Sequence, residues 1–266
     1  MKHLFFGIVL ALSMGLPNIG HAAGIAEELQ SEAPDLRPQV MNRALKALEC
    51  STRSGKLPRM LIIVDMSMPA TTKRMFAFDL QDGKLLVRDL VTHGKGSDPN
   101  LTGRPIRFSN EPNSGMTSLG LYRVAETYAG KHGFSRRLDG LTRGWNDKAR
   151  QRAVVIHSSN YVRPGFVGRS LGCPAMTEST LRFLDKNGLG NALMWIDGPD
   201  PNLEKAVSSC NASSKYLPSK SANILQSVVK RKVKGDPFVV TVNRQTSLPW
   251  TWRFAQQCLP SNPWMI

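Results

Sequence analysis

The stretch His157-Ser158-Ser159-Asn160-Tyr161-Val162-Arg163-Pro164-Gly165-Phe166-Val167-Gly168-Arg169-Ser170-Leu171-Gly172-Cys173-Pro174 decides the reading of this chain. Just before it, Ala153-Val154-Val155-Ile156 is a short apolar run of the kind a buried strand shows, so His157 is expected at a strand end. Cys173 lies in a glycine-rich turn, and beyond it Thr177 reads as the N-cap of a helix with Glu178 in its first turn, Leu181 and Leu184 on one face and Gly188 as its stop. A thiolate nucleophile needs a base, backbone amides at close range and a helix N-terminus that favours negative charge. Each part alone has a plainer reading, because a lone histidine is usually a surface or core residue and an exported cysteine is usually half of a disulfide. In this order and spacing they support a Cys173–His157 pair.

Upstream, residues 36–49 carry Val40, Met41, Ala44, Leu45 and Leu48 at helical spacing, with Arg43, Lys46 and Glu49 between them. Strands are predicted at Met60–Asp65, Arg74–Leu80, Lys84–Thr92 and Leu121–Glu126, with a hairpin turn at Asp82-Gly83. Residues 94–115, rich in Gly, Pro, Ser and Asn, read as loop. Residues 129–152 show no clean period and read as an ordered loop. Downstream, Ala192–Asp197 is the next strand, and after Gly198-Pro199-Asp200-Pro201 the chain turns polar, with the basic run Lys230-Arg231-Lys232 and a Pro/Trp-rich tail. The expected division is a signal peptide (1–22), a helical lead-in (23–57), a mainly β catalytic domain with few helices (58–199) and a C-terminal extension (200–266).

With 266 residues, 41% of them hydrophobic and 21% charged, the chain can build one ordinary core plus extensions. Its formal charge of +15 points to polyanions or acidic surfaces as partners. The N-terminus narrows that choice. Met1-Lys2-His3, the apolar stretch Leu4–Leu16 and the small residues at Gly20 and Ala22 read as a signal peptide cut after Ala22, so the protein is expected to be exported to the periplasm or cell wall. The apolar stretch is too short to span a bilayer and nothing later is long enough, so no integral membrane segment is expected. Export disfavours nucleic acid and leaves anionic envelope surfaces as the basic chain's surroundings. No cysteine adjoins the cut, which excludes a lipid anchor there. All four cysteines, Cys50, Cys173, Cys210 and Cys258, would survive cleavage; with Cys173 free, Cys210 and Cys258 are the expected pair because both lie in the extension, leaving Cys50 as the odd one.

The stretch resembles the active-site signature of the YkuD-type murein L,D-transpeptidases, in which Ser-x-Gly-Cys follows a histidine by some 15 residues. More specifically, Gly168-Arg169-Ser170-Leu171-Gly172-Cys173-Pro174-Ala175 is similar to the pattern of the murein L,D-transpeptidase catalytic domain family. The likeness continues through His93-Gly94-Lys95-Gly96-Ser97, Phe108-Ser109-Asn110, Ser118-Leu119-Gly120-Leu121-Tyr122, Gly130-Lys131-His132-Gly133, Leu138-Asp139-Gly140-Leu141 and Asn146-Asp147, covering roughly residues 58–198. The resemblance implies a YkuD-like β-sandwich or barrel and a cysteine acyltransferase acting on peptidoglycan stem peptides. On that reading Cys173 attacks the carbonyl of the third stem residue, His157 moves the proton, the Ser158 carbonyl orients the imidazole, and backbone N–H groups near Gly172 and Cys173 meet the oxyanion. Tyr122, Asn110, His132 and Ser170 become expected substrate-binding residues. An L,D-carboxypeptidase using the same Cys and His, and a catalytically silent peptidoglycan-binding protein, are the alternatives.

Two positions depart from the commonest pattern: Leu171 stands where it has His, and Ala175 where it has Arg. A stem peptide presents carboxylates, and a planar, always-charged guanidinium suits them, so Arg169 is the expected anchor and Arg163 the second choice. Other motifs carry less. His93-Gly94-Lys95-Gly96-Ser97 lacks phosphate-loop spacing, His93 and His132 form no tight ligand pair for zinc, and no cofactor or metal is expected. Asn211-Ala212-Ser213 fits a sequon by chance frequency, and Trp250, Trp252 and Trp264 are read as buried.

Overall fold

Met60-Leu-Ile-Ile-Val-Asp65 is apolar along its whole length, the composition of a strand covered on both faces, and it forms β1 (Met60–Asp65) with every residue buried. This computed structural model describes residues 21–52 and 57–212. In chain order they form α1 (His21–Glu32), α2 (Pro38–Ser51), β1, β2 (Met75–Asp79), β3 (Lys84–Asp89), a 3-10 turn at Lys95–Ser97, β4 (Gly120–Gly130), β5 (Gly133–Gly140), β6 (Val155–Ser158), β7 (Val162–Arg163), β8 (Phe166–Val167), β9 (Ala175–Met176), α3 (Glu178–Lys186), β10 (Leu193–Asp197) and α4 (Leu203–Ala212). Among the described residues the fold is mainly β, with four helices. The expected signal-peptide residues 1–20, the Lys230-Arg231-Lys232 run, Cys258 and the tail tryptophans lie outside them.

Eight strands make one mixed sheet in the order β3-β2-β1-β10-β4-β5-β6-β9, with β7 and β8 a separate short hairpin. β1 runs parallel to β10, and β6 parallel to β9; the other pairs are antiparallel. The two outer strands curl toward each other: Thr92, just past β3, donates its N–H to the Ala175 carbonyl of β9 at 2.9 Å, and Leu90 packs with Ala175 and Val162. The sheet is thus nearly closed into a barrel.

Helix α2 begins with Pro at its first turn and buries Val40, Met41, Ala44, Ala47 and Leu48 against the sheet. Two buried carboxylates hold it there. Asp65 and Asp197 lie opposite each other in the β1–β10 register; Arg37 binds the first through two hydrogen bonds of 2.7 and 2.9 Å, and Arg43 the second through two of 2.8 and 2.7 Å.

Three sequence expectations change. Residues 129–152 are not all loop, because β4 runs to Gly130 and pairs with β5 across a two-residue turn at Lys131-His132. The polar strand residues are satisfied by distant partners, such as Arg136 with Asp185 at 2.7 Å. The chain past 199 is not uniformly an appended polar segment, since α4 sends Leu203 and Val207 into the core. Finally, Cys50 is disulfide-bonded while Cys173 is a free thiol, so Cys50 is not the odd cysteine. The expected Cys210–Cys258 pair lies outside the residues whose side chains are described.

Candidate active site

The apolar run before His157 becomes β6, whose parallel partner is β9: His157 pairs with Ala175, two residues past Cys173. That register sets the histidine and the cysteine, 16 positions apart along the chain, at neighbouring strand ends. Both line one cavity of about 520 Å³, together with His132, Tyr128, Tyr161, Leu171 and five cations, Lys95, Lys131, Arg137, Arg152 and Arg169. Among the described residues no carboxylate lines it.

The imidazole of His157 is buried, and its Nδ1 lies 3.0 Å from the Ser158 carbonyl oxygen. A carbonyl has no proton to give, so Nδ1 carries the hydrogen and the neutral ring keeps its lone pair on Nε2. His132, at the β4–β5 turn, stacks on the same ring with centroids 4.1 Å apart. Burial is the main force pushing the His157 pKa down; the Ser158 bond opposes it, and the charges of His132 and Lys131 add to the lowering. Burial also pushes the Cys173 thiol up, against a hydrogen bond involving the Val155 backbone and the positive charges of Arg152 and Lys131. Both directions favour the neutral forms of the thiol and the imidazole.

The Cys173 turn is held by its own small residues. Gly172 has φ +121°, and a Cβ there would meet the Met116 carbonyl oxygen at 2.6 Å, so only glycine fits. Its N–H donates to Ser170 Oγ at 3.0 Å and is not open to an oxyanion; among the described residues nothing accepts from the Cys173 N–H. Cys173 does not sit at a helix N-terminus, because β9 separates it from α3. The helix itself is as read: Thr177 caps it by accepting from the Thr180 N–H, and Leu181 and Leu184 are buried.

Of the expected substrate-binding residues, His132 and Arg169 are exposed in the cavity, and Arg169 is steadied by donating to the Asp98 carbonyl at 3.0 Å. Arg163 lies outside the cavity, over Phe166. Three others do different work. Tyr122 is fully buried, its hydroxyl within 2.8 Å of the Ser118 carbonyl and 2.6 Å of Ser118 Oγ, and burial pushes its pKa up to about 12. Asn110 bridges Asp147 and the Lys148 N–H. Ser170 lines the cavity, but its hydroxyl is spent inside the turn.

Sequence reading missed Arg152. Half-buried, it donates to the carbonyls of Ser109 and Met116 at 2.8 and 2.6 Å, tying the 109–118 loop to the cavity wall beside Cys173. The density of arginines in 129–152 was the only signal. Behind the turn, buried Arg74 donates to His93 Nδ1 at 2.9 Å, which turns His93 Nε2 toward Asp98 at 3.5 Å without a satisfactory hydrogen bond. Among the described residues no group of three or more His, Cys, Asp or Glu could hold a metal ion, and no helix is long and apolar enough to cross a membrane.

The sequence model of the family described as the L,D-transpeptidase catalytic domain matches residues 32–196. This chain therefore belongs to the L,D-transpeptidase catalytic domain family. No curated protein matches it. Solved structures similar to it include an L,D-transpeptidase from Mycobacterium smegmatis, at 14% identity and a TM-score of 0.34, covering 53% of this chain and 59% of that one. The helical cell shape determining protein from Campylobacter jejuni matches at 12% identity and a TM-score of 0.37, covering 71% of this chain and 77% of that one. The alignment spans about three fifths of the length of the Mycobacterium smegmatis structure.

Proposed function

We propose that this protein is an exported, cysteine-dependent L,D-transpeptidase of peptidoglycan stem peptides. The observation that carries the reading is the His157 tautomer: with Nδ1–H given to Ser158, Nε2 is a base in the same cavity as the free thiol of Cys173. As sulfur bonds to the carbonyl carbon of the third stem residue, Nε2 takes the thiol proton. The Cys173 N–H meets the oxyanion. Collapse breaks the peptide bond, and His157 returns the proton to the leaving amine of the terminal D-alanine. An amine of a second stem then attacks the thioester; its proton passes through His157 to the departing sulfur. Among the described residues, the five cations of the cavity, with no carboxylate in its lining, suit a ligand rich in carboxylates.

Incubation with disaccharide-tetrapeptide, followed by mass spectrometry, tests this. A cross-linked dimer formed with loss of D-alanine supports the reading. Tripeptide and free D-alanine alone would make the protein a carboxypeptidase, and no product with no acyl adduct on Cys173 would leave a wall-binding protein. Cys173→Ala and His157→Ala should each abolish the adduct, and the double variant should be no worse than either, because residues acting as one unit are non-additive.

A further inference from the structure

We propose that Thr92 and Ser170 are positioning residues whose two hydroxyls clamp the Cys173 carbonyl and so fix the nucleophile from behind; this rests on reading Cys173 as the nucleophile. Thr92 is fully buried where the chain leaves β3, and Ser170 is nearly so. Thr92 Oγ1 donates to the Cys173 carbonyl at 3.1 Å, and Ser170 Oγ donates to the same oxygen at 2.7 Å. A carbonyl oxygen has two lone pairs, and here both are filled.

The same hydroxyls also work as acceptors. Thr92 Oγ1 accepts the Ala175 N–H at 3.0 Å, while the Thr92 N–H donates to the Ala175 carbonyl at 2.9 Å. Thr92 thereby grips the chain on both sides of Pro174, which has no N–H of its own. Ser170 Oγ accepts the Gly172 N–H at 3.0 Å, and Ser170 is itself anchored by its N–H to the His93 carbonyl at 2.9 Å and by its carbonyl to the Lys95 N–H at 2.8 Å.

The consequence is a division of labour within one turn. Its Gly172 N–H and Cys173 C=O are occupied, which holds the peptide unit after Cys173 in one orientation, and the Cys173 N–H has no acceptor among the described residues. Thr is stiff at χ1, so a buried threonine sets the carbonyl more tightly than a freely turning hydroxyl would. A small displacement of a reacting group costs about 100-fold in rate, which is the effect the clamp prevents.

The test uses Thr92→Val, which keeps shape and loses the hydroxyl, Thr92→Ser, which restores it, and Ser170→Ala. Acylation of the full-length protein by tetrapeptide is followed alongside alkylation of Cys173 by iodoacetamide, a small uncharged probe. The expected result is a roughly 10- to 100-fold loss of acylation rate in Thr92→Val and Ser170→Ala with KM within about twofold of native, a parallel loss in alkylation, and recovery in Thr92→Ser to within about threefold. Native rates in both hydroxyl-less variants, or a Thr92→Ser variant as slow as Thr92→Val, would overturn the proposal. Should Thr92→Val fail to fold, Ser170→Ala decides it through the same two rates. Native protein that alkylates readily but is never acylated would overturn the transpeptidase reading, and the alkylation rates would still decide the clamp.

Discussion

His132 lies flat against His157, with ring centroids 4.1 Å apart and planes 23° from parallel. One ring is exposed and the other buried, so the hairpin turn of β4 and β5 acts as a cover over the candidate base. The base is thereby held on its edge by Ser158 and on its face by His132.

The cover has a sign that can be measured. Burial and the nearby positive charge lower the His157 pKa, so the neutral, active ring should persist below the ordinary histidine value of about 6.5. His132→Ala admits water and removes the like charge, and both changes raise the pKa. The acid limb of the kcat/KM profile should accordingly lie below 6.5 in the native protein and move up in His132→Ala, with kcat reduced. An unmoved limb would show that the stack plays no part in tuning the base.

Arg169 is the cation that this geometry recommends as a carboxylate anchor, being exposed in the cavity and steadied by Asp98. Charge-assisted hydrogen bonds contribute about 1.5–3 kcal/mol. Arg169→Ala should therefore raise KM for stem peptides about tenfold or more while leaving iodoacetamide alkylation of Cys173 near native, with Arg169→Lys recovering part of the loss. Steady-state kinetics beside alkylation rates check this, and equal damage to both would make Arg169 a structural loop residue.

Gly172→Ala places a Cβ 2.6 Å from the Met116 oxygen at φ +121°. Strain of this kind costs about 1–3 kcal/mol before any clash is counted. The expected outcome is a Tm lower by roughly 5 °C or more, together with loss of acyl-enzyme, read by thermal unfolding and intact-mass spectrometry.

His93 gives the fold an acid limit. Burial first, and the Arg74 charge second, depress its pKa to about 4, while in the unfolded chain it titrates near 6.5. Between those values the unfolded state binds more protons, so stability rises with pH across that window and is lost on acidification from 6.5 toward 4. The shift corresponds to a loss on the order of 3 kcal/mol. His93→Asn, whose amide oxygen can still accept from Arg74, should flatten urea-unfolding midpoints over the same range. An equally steep profile in the variant would assign the acid sensitivity to other groups.

How much of this was legible depends on the range of the interactions. The strand that delivers His157 was visible because Ala153-Val154-Val155-Ile156 is a local apolar run, and α3 because its cap, first-turn Glu178 and stop are all local signals. The β4–β5 hairpin was not, because its Arg123, Arg136 and Arg137 look like loop residues until Asp139, Asp185 and Glu126 are brought beside them. The same limit explains Tyr122 and Asn110: a family pattern marks the positions, but only packing shows that one hydroxyl is sealed against Ser118 and that one amide is tied to Asp147.

By itself the sequence determined the β-rich class, the Cys173 and His157 candidates and the glycine at the turn, since residue type, spacing and periodicity act over a few neighbours. Tertiary structure alone decided which cations share the cavity, that His132 covers His157, and that Thr92 reaches the Cys173 carbonyl. The physical reason is register. A parallel pairing of β6 with β9, and the approach of the β3 end to β9, are set by the whole sheet's burial and hydrogen bonding, and they join residues whose separation of up to 83 positions leaves no local trace.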